Sequence, residues 1–156
     1  MEIQQVFEYR EWAQQAADPV AYGPHLPKDL PIIVLFGRGD RTVPNPGATA
    51  LVRAGDLADR TTFYRNDLAV ATGLVAVKNA HQFVFRVALP LSQSNANVVK
   101  IALAAQKQVA EFFASDGEEP VIDPNEILEK ELNPPPPEPL FEVPIESLPE
   151  DLGFIP

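Results

Sequence analysis

Two residues capable of acid–base chemistry each follow a segment of the chain that is predicted to be a strand. Asp40 comes directly after the segment 31–37, across a Gly-Arg-Gly loop, and His81 lies after a second segment, 61–65. In open α/β sheets, ligands and reactive groups gather at the carboxyl ends of the strands. A carboxylate after one strand and an imidazole after the next therefore predict an acid that orients a base.

Each candidate also has an ordinary structural interpretation. An aspartate often caps a turn or a helix, and Asp40 is followed by both. Asp67 follows the second predicted strand and competes weakly with Asp40 for the role of acid. A single histidine such as His81 is commonly structural, and His25, in a proline-flanked loop, is interpreted that way. As a pair, Asp40 and His81 favour the acid-then-base part of a hydrolase triad.

The residues around the pair are similar to those of a known family. Segment 32–44, Ile-Ile-Val-Leu-Phe-Gly-Arg-Gly-Asp-Arg-Thr-Val-Pro, resembles the strand-to-acid segment of bacterial serine esterases and lipases of the α/β-hydrolase fold. Segment 79–83, Asn-Ala-His-Gln-Phe, resembles their histidine loop, in which the residue after the histidine is usually glycine rather than Gln82. Segments 18–26 and 53–60 also look like this group, and the resemblance covers roughly residues 18–115 and is expected to extend into the tail.

The resemblance implies acyl transfer to and from a serine, with an ester-type small molecule or a lipid as substrate. His81 would take the proton of the serine hydroxyl, and Asp40 would accept a hydrogen bond from the other ring nitrogen. In these hydrolases the chain order is serine, then acid, then histidine.

The expected nucleophile is missing from the sequence. The serines are Ser92, Ser94, Ser115 and Ser147. None stands in a Gly-x-Ser-x-Gly motif, and Ser92 and Ser94 follow His81, against the family's order. The chain is therefore expected to be the C-terminal part of an esterase or lipase, inactive without a serine-bearing N-terminal part. An expressed fragment, a truncated gene and one chain of a split enzyme all fit this expectation.

The elements that would position the pair follow from hydrophobic patterning. Strands are predicted at 31–37, buried on both faces, and at 61–65, and helices at 3–17, 45–54 and 95–114. Residues 18–30 and 66–80 are predicted to be loop or irregular. The strand–helix–strand–helix order indicates an α/β fold, and by the resemblance the last two strands of an α/β-hydrolase with their helices.

Composition divides the chain into two parts. The 156 residues include 17 prolines and carry a formal net charge of −10. Residues 116–156 hold 12 of the acidic side chains, one base and ten of the prolines, so they form an acidic, proline-rich tail behind a nearly neutral body at 1–115. Apolar residues recur in the tail, and part of it is expected to lie back on the body.

Several classes of function are disfavoured. The absence of cysteine excludes disulfides, cysteine-ligated zinc and thiol catalysis. Two distant histidines and an incomplete glycine motif at 37–39 predict neither a metal nor a cofactor. The acidic balance argues against nucleic acid, and no apolar run is long enough for a membrane span. No secretory signal is expected at Met1, and the localisation is not predicted.

The sequence also predicts partners and leaves an alternative open. A two-stranded sheet would expose both edges, which favours self-association or a complementing chain. The alternative is a non-catalytic α/β binding or assembly module whose proline-rich tail binds a partner. A proline run at 134–137 would suit that role, or that of a stiff spacer.

Overall fold

The structure, a computed structural model, describes residues 3–88, 95–118 and 122–149. Within these ranges the chain has a mixed α/β fold. The helices are α1 (Ile3–Gln14), α2 (Pro19–Tyr22), α3 (Asn45–Gly55), α4 (Asn66–Ala71), α5 (Ala96–Ala114) and α6 (Pro124–Glu131). The strands are β1 (Val34–Gly37), β2 (Thr61–Tyr64) and β3 (Phe141–Glu142).

The strands form one sheet in the order β1-β2-β3. Strands β1 and β2 are parallel, with Gly37 beside Tyr64, and α3 connects them. A parallel pair needs such a crossover, and the helical pattern at 45–54 predicted it. The carboxyl ends of β1 and β2 therefore lie side by side, which is where the candidate residues follow.

The third strand comes from the acidic tail, so the prediction of a two-stranded sheet was wrong. β3 pairs antiparallel with β2 and covers the edge of β2 that faces away from β1. Asn125 fixes the incoming segment, since its Oδ1 accepts hydrogen bonds from the amides of Leu140 and Phe141 at 2.9 and 3.0 Å. A two-residue strand has no hydrophobic period of its own, which is why the sequence pattern did not reveal it.

The expectation that part of the tail lies on the body is confirmed for the described residues. Four apolar side chains of the tail belong to the hydrophobic core, each no more than 3% exposed: Leu128, Leu132, Leu140 and Phe141. The ring of Phe141 lies 5.3 Å from that of Tyr64 in β2, and Tyr64 in turn stacks on Phe83 at 4.8 Å. This aromatic cluster lies directly beneath the loops that follow β1 and β2.

The two parallel strands differ in burial. Every residue of β2 is buried, whereas the residues of β1 before Gly37 are only half-buried. The prediction that the segment 31–37 is buried on both faces was therefore wrong, and its strand begins only at Val34. β1 is an edge strand of the described sheet, and β2 lies between two neighbours and beneath α5, where Thr62 donates to Gln108.

The helices match the sequence pattern unevenly. Helices α3 and α5 are confirmed within a residue or two, and Asn95 caps α5 by accepting from the amide of Val98 at 2.9 Å. The short helices α2, α4 and α6 were not predicted, since each spans eight residues or fewer. Helix α1 forms as predicted, but its apolar residues stay exposed, with Ile3 and Trp12 both at 76%. No described helix is both long enough and apolar enough to cross a membrane.

Candidate functional site

Asp40 lies in the turn that follows β1, and its two carboxylate oxygens have different partners. Oδ1 accepts hydrogen bonds from the backbone amides of Thr42 at 2.7 Å and Val43 at 2.8 Å. Oδ2 is thereby left for a partner outside the turn. The turn-capping interpretation of Asp40 is thus correct for one oxygen, and it fixes the direction of the other.

The same turn is tied to the start of helix α3. Asn45 is buried, and its side-chain amide donates to the carbonyl of Gly37 at 2.8 Å. Its Oδ1 accepts from the amide of Gly39 at 3.2 Å. Gly39 has φ +81°, a left-handed conformation that glycine adopts without a steric penalty. The acid is therefore held on a loop that is braced at both sides.

His81 contacts this acid from the irregular segment that follows α4. Its Nδ1 lies 3.1 Å from Oδ2 of Asp40, although 41 residues separate the two along the chain. An ionised carboxylate can only accept, so Nδ1 carries the proton and Nε2 of the neutral ring carries a lone pair. Among the described residues Nε2 has no hydrogen-bond partner, and the side chain is 31% exposed against 13% for Asp40.

Asn79 joins the two loops beside the pair. Its Oδ1 accepts from the backbone amide of Arg41 at 2.9 Å and from that of His81 at 3.1 Å. The loops also pack closely, because a Cβ at Gly37 would lie 2.8 Å from that of Ala80. Residue 37 must therefore lack a side chain for the histidine loop to approach the end of β1.

The residue after the histidine adopts the conformation that a glycine would favour. Gln82 has φ +56°, in the left-handed region, where a side chain costs about 1 to 2 kcal/mol. The resembled hydrolases usually have glycine at this position. This chain therefore differs from them in residue type, although its backbone adopts the left-handed conformation that favours glycine. The strain falls directly beside the imidazole.

Arg86 is a component of the site that sequence reasoning missed. It lies in the 3₁₀-helical segment Phe83–Ala88, is 4% exposed, and donates from Nη2 to the backbone carbonyl of Asn79. Burial lowers the pKa of this guanidinium, and the neighbouring Tyr64 and Asp40 act against that change. The signal in the sequence was a single charge in the apolar run Phe-Val-Phe-Arg-Val-Ala.

Asp67, the competing acid, is engaged elsewhere. Arg65 donates to both of its oxygens, from Nε at 2.9 Å and from Nη2 at 2.8 Å, and Arg38 lies 3.6 Å away. Partial burial acts to raise the pKa of Asp67, but the Arg65 and Arg38 guanidiniums outweigh it and lower that pKa. Arg65 also bonds Glu142 of β3, so this cluster ties the tail to the sheet.

The remaining candidates do not join the pair. His25 is exposed in the 3₁₀ turn Gly23–His25. Ser115 ends α5 and donates to the carbonyl of Phe112, and the adjoining Gly117 packs on Pro31, at the amino end of β1.

The other serines add no nucleophile among the described residues. Ser147 is exposed in the tail, and Ser92 and Ser94 lie outside the described residues. The described chain therefore assembles an acid and a base without a serine beside them.

The arrangement has a defined chemical capacity. A carboxylate that holds Nδ1–H keeps the imidazole in one tautomer, with Nε2 available to take a proton from a hydroxyl group. Comparison of the chain with known protein families, with curated proteins and with solved structures finds no match. The relation to α/β-hydrolases accordingly stays a prediction drawn from the sequence.

Proposed function

We propose that this chain supplies the acid and the histidine of a bacterial-type serine hydrolase of the α/β-hydrolase fold that acts on carboxylic esters or lipids. The observation that carries the proposal is the 3.1 Å contact between Nδ1 of His81 and Oδ2 of Asp40, the acid in the turn after the parallel strand β1. Two side chains far apart in sequence make the carboxylate–imidazole contact that the acid and histidine of a triad make, which supports the proposal.

In the proposed reaction, Nε2 of His81 takes the proton of a serine hydroxyl as its oxygen bonds to the ester carbonyl carbon. The protonated ring then gives this proton to the departing alcohol as the ester C–O bond breaks, leaving an acyl-serine. Water, deprotonated by the same nitrogen, then attacks the acyl carbon; the bond to the serine oxygen breaks, the carboxylic acid leaves, and the ring returns the proton to the serine oxygen. Asp40 orients the ring and stabilises the imidazolium through Oδ2 throughout.

The surroundings of the pair support this assignment over a purely structural one. Two backbone amides occupy Oδ1 of Asp40, and Oδ2 contacts the imidazole. The imidazole is part-exposed, with Nε2 unpartnered among the described residues, so a hydroxyl group has access to it.

The serine is proposed to come from a separate part that precedes this segment in the family's chain order. The region upstream of the codon for Met1 is then expected to encode a Gly-x-Ser-x-Gly motif. The experiment co-expresses that upstream part with this chain and measures hydrolysis of a short p-nitrophenyl ester. We expect activity from the mixture only, and loss of that activity in His81→Ala.

The matched control is His25→Ala, which removes the other histidine and should leave the rate unchanged. Hydrolysis by this chain alone, blocked by a serine-directed phosphonate, would contradict the claim that the nucleophile lies elsewhere. An active mixture in which His81→Ala retains the wild-type rate would contradict the role of the histidine.

A second candidate function is a binding module that uses the tail. It is favoured by the exposure of the proline run 134–137, which carries few of the tail's core contacts. Polyproline segments bind aromatic grooves of SH3-type domains. Titration of the labelled chain with an SH3 domain should then shift only resonances near this run, and unchanged spectra at saturating domain would exclude this candidate.

A further inference from the structure

We propose that Arg86 is the positioning residue of the Asp40–His81 pair, which it holds through the backbone carbonyl of Asn79. The inference rests on the proposed function, because it concerns how His81 is presented as a base. It differs from that function in assigning work to a buried cation that would touch neither the substrate nor the reacting atoms.

The burial of Arg86 calls for a reason. The side chain is 4% exposed, and no carboxylate of the described residues lies within ion-pair distance of its guanidinium. A buried charge without a paired partner costs several kcal/mol, and an apolar side chain in the same space avoids that cost. Retaining an arginine there is consistent with a role that needs its donors.

Those donors act on one peptide group of the histidine loop. Nη2 of Arg86 donates to the carbonyl of Asn79, two residues before His81. The side chain of Asn79 in turn accepts from the amides of Arg41 and His81. One anchored residue thus fixes the loop of the acid and the loop of the base relative to each other.

The groups that face the guanidinium fit this role. Asp40, after β1, and Tyr64, at the end of β2, both interact with it electrostatically. The hydroxyl of Tyr64 is fully buried and has no hydrogen-bond partner among the described residues. The guanidinium therefore lies among groups of the acid loop and of the end of β2, while Oδ2 of Asp40 contacts His81.

The test reads the histidine tautomer directly in the full chain. Long-range ¹H–¹⁵N correlation distinguishes Nδ1–H from Nε2–H, and the chain has only two histidines to assign. At about pH 8.5, where free imidazole is neutral, we expect His81 to be mainly Nδ1–H. His25, which is exposed, serves as the internal reference, and Asp40→Asn is the positive control that removes the preference.

Arg86→Met keeps the bulk of the side chain and removes its donors and charge. We expect the ratio of Nδ1–H to Nε2–H at His81 to fall by roughly threefold or more, with His25 unchanged. A threefold fall corresponds to a change of about 0.7 kcal/mol in the free-energy difference between the two tautomers. Arg86→Lys retains a charge and a donor and should restore most of the ratio. A folded Arg86→Met chain with the wild-type ratio would overturn the proposal.

Asn79→Ala provides a second route if Arg86→Met does not fold. This residue is half-buried, and its replacement removes the link between the two loops while the carbonyl for Arg86 remains. The same fall in the His81 ratio is expected. An unchanged ratio in Asn79→Ala would refute the path from Arg86 to His81.

The tautomer measurement separates this inference from the proposed function. It needs neither a serine nor an ester. If the His81 tautomer ratio falls in Arg86→Met but the chain never supports hydrolysis, the proposed function is contradicted and the positioning role is not. In the complemented enzyme, Arg86→Met should lower kcat with little change in KM. If Arg86→Met has the wild-type kcat and the wild-type tautomer ratio at His81, the positioning role is contradicted and the proposed function is not.

Discussion

Asp40 and Asp67 follow the two parallel strands of the sheet, yet their carboxylates have different partners. Asp67 is bonded by Arg65 through both oxygens and has Arg38 nearby, so permanent cations surround it. Asp40 gives one oxygen to two backbone amides and the other to His81. The first arrangement forms an ion-pair cluster, and the second keeps one oxygen for a partner that can gain and lose a proton.

The contrast shows that position at a strand end does not by itself define a catalytic acid. Arginine stays charged at all ordinary pH values, so a carboxylate bonded to it through both oxygens does not exchange protons or partners as the pH changes. Histidine changes charge near neutral pH, so its carboxylate partner can stabilise one state over the other. The identity of the partner therefore separates the candidate catalytic acid from the structural one.

The largest expected effect is that of Asp40→Asn on hydrolysis by the complemented enzyme. An amide at this position can still accept from the turn amides but presents the wrong group to Nδ1, and kcat should fall by about 10⁴-fold. Asp67→Asn is the matched control and should change kcat by less than about tenfold. Equal losses in the two variants would remove the distinction between the two aspartates.

Asp67→Asn should instead act on stability. We expect the free energy of unfolding in urea to fall by about 1 to 2 kcal/mol at neutral pH, because charged hydrogen bonds to Arg65 are lost. The guanidiniums lower the pKa of folded Asp67 despite its partial burial, so this stabilisation is present above the ordinary aspartate pKa of about 3.9.

The same linkage gives the pH dependence. The stabilisation is lost as the pH falls through the lowered pKa of folded Asp67, so the difference between wild type and Asp67→Asn should shrink below about pH 4. Urea titrations at several pH values measure this. A difference that stays constant into strong acid would show that the carboxylate charge of Asp67 is not what stabilises the cluster.

The smallest expected effect is a gain of stability in Gln82→Gly. Relief of the left-handed conformation at φ +56° is partly offset by the greater freedom of glycine in the unfolded chain, leaving up to about 1 kcal/mol. Thermal unfolding measures it, with Gln82→Ala as the control that keeps the strain and should show no gain. A loss of stability in Gln82→Gly would mean that the glutamine side chain contributes contacts that outweigh the strain.

Much of the site was predictable because its parts are local. Asp40 and His81 each follow a predicted strand, and the helices α3 and α5 have clear hydrophobic patterns. Arg86 was not predicted because its role depends on burial, which a single charge in an apolar run does not establish. Strand β3 was not predicted because its pairing with β2 is a long-range contact with no periodic pattern in the sequence.

The sequence by itself determined where the main helices and the strand β2 lie and which few residues could carry chemistry, since caps, breakers and apolar spacing act over a few residues. Only the tertiary structure decided which aspartate meets His81. The parallel register of β1 and β2 places both acids at the carboxyl ends of the strands. The direction of each carboxylate then depends on the turn in which it lies. Backbone amides aim Asp40 at the imidazole, and two arginines hold Asp67 elsewhere.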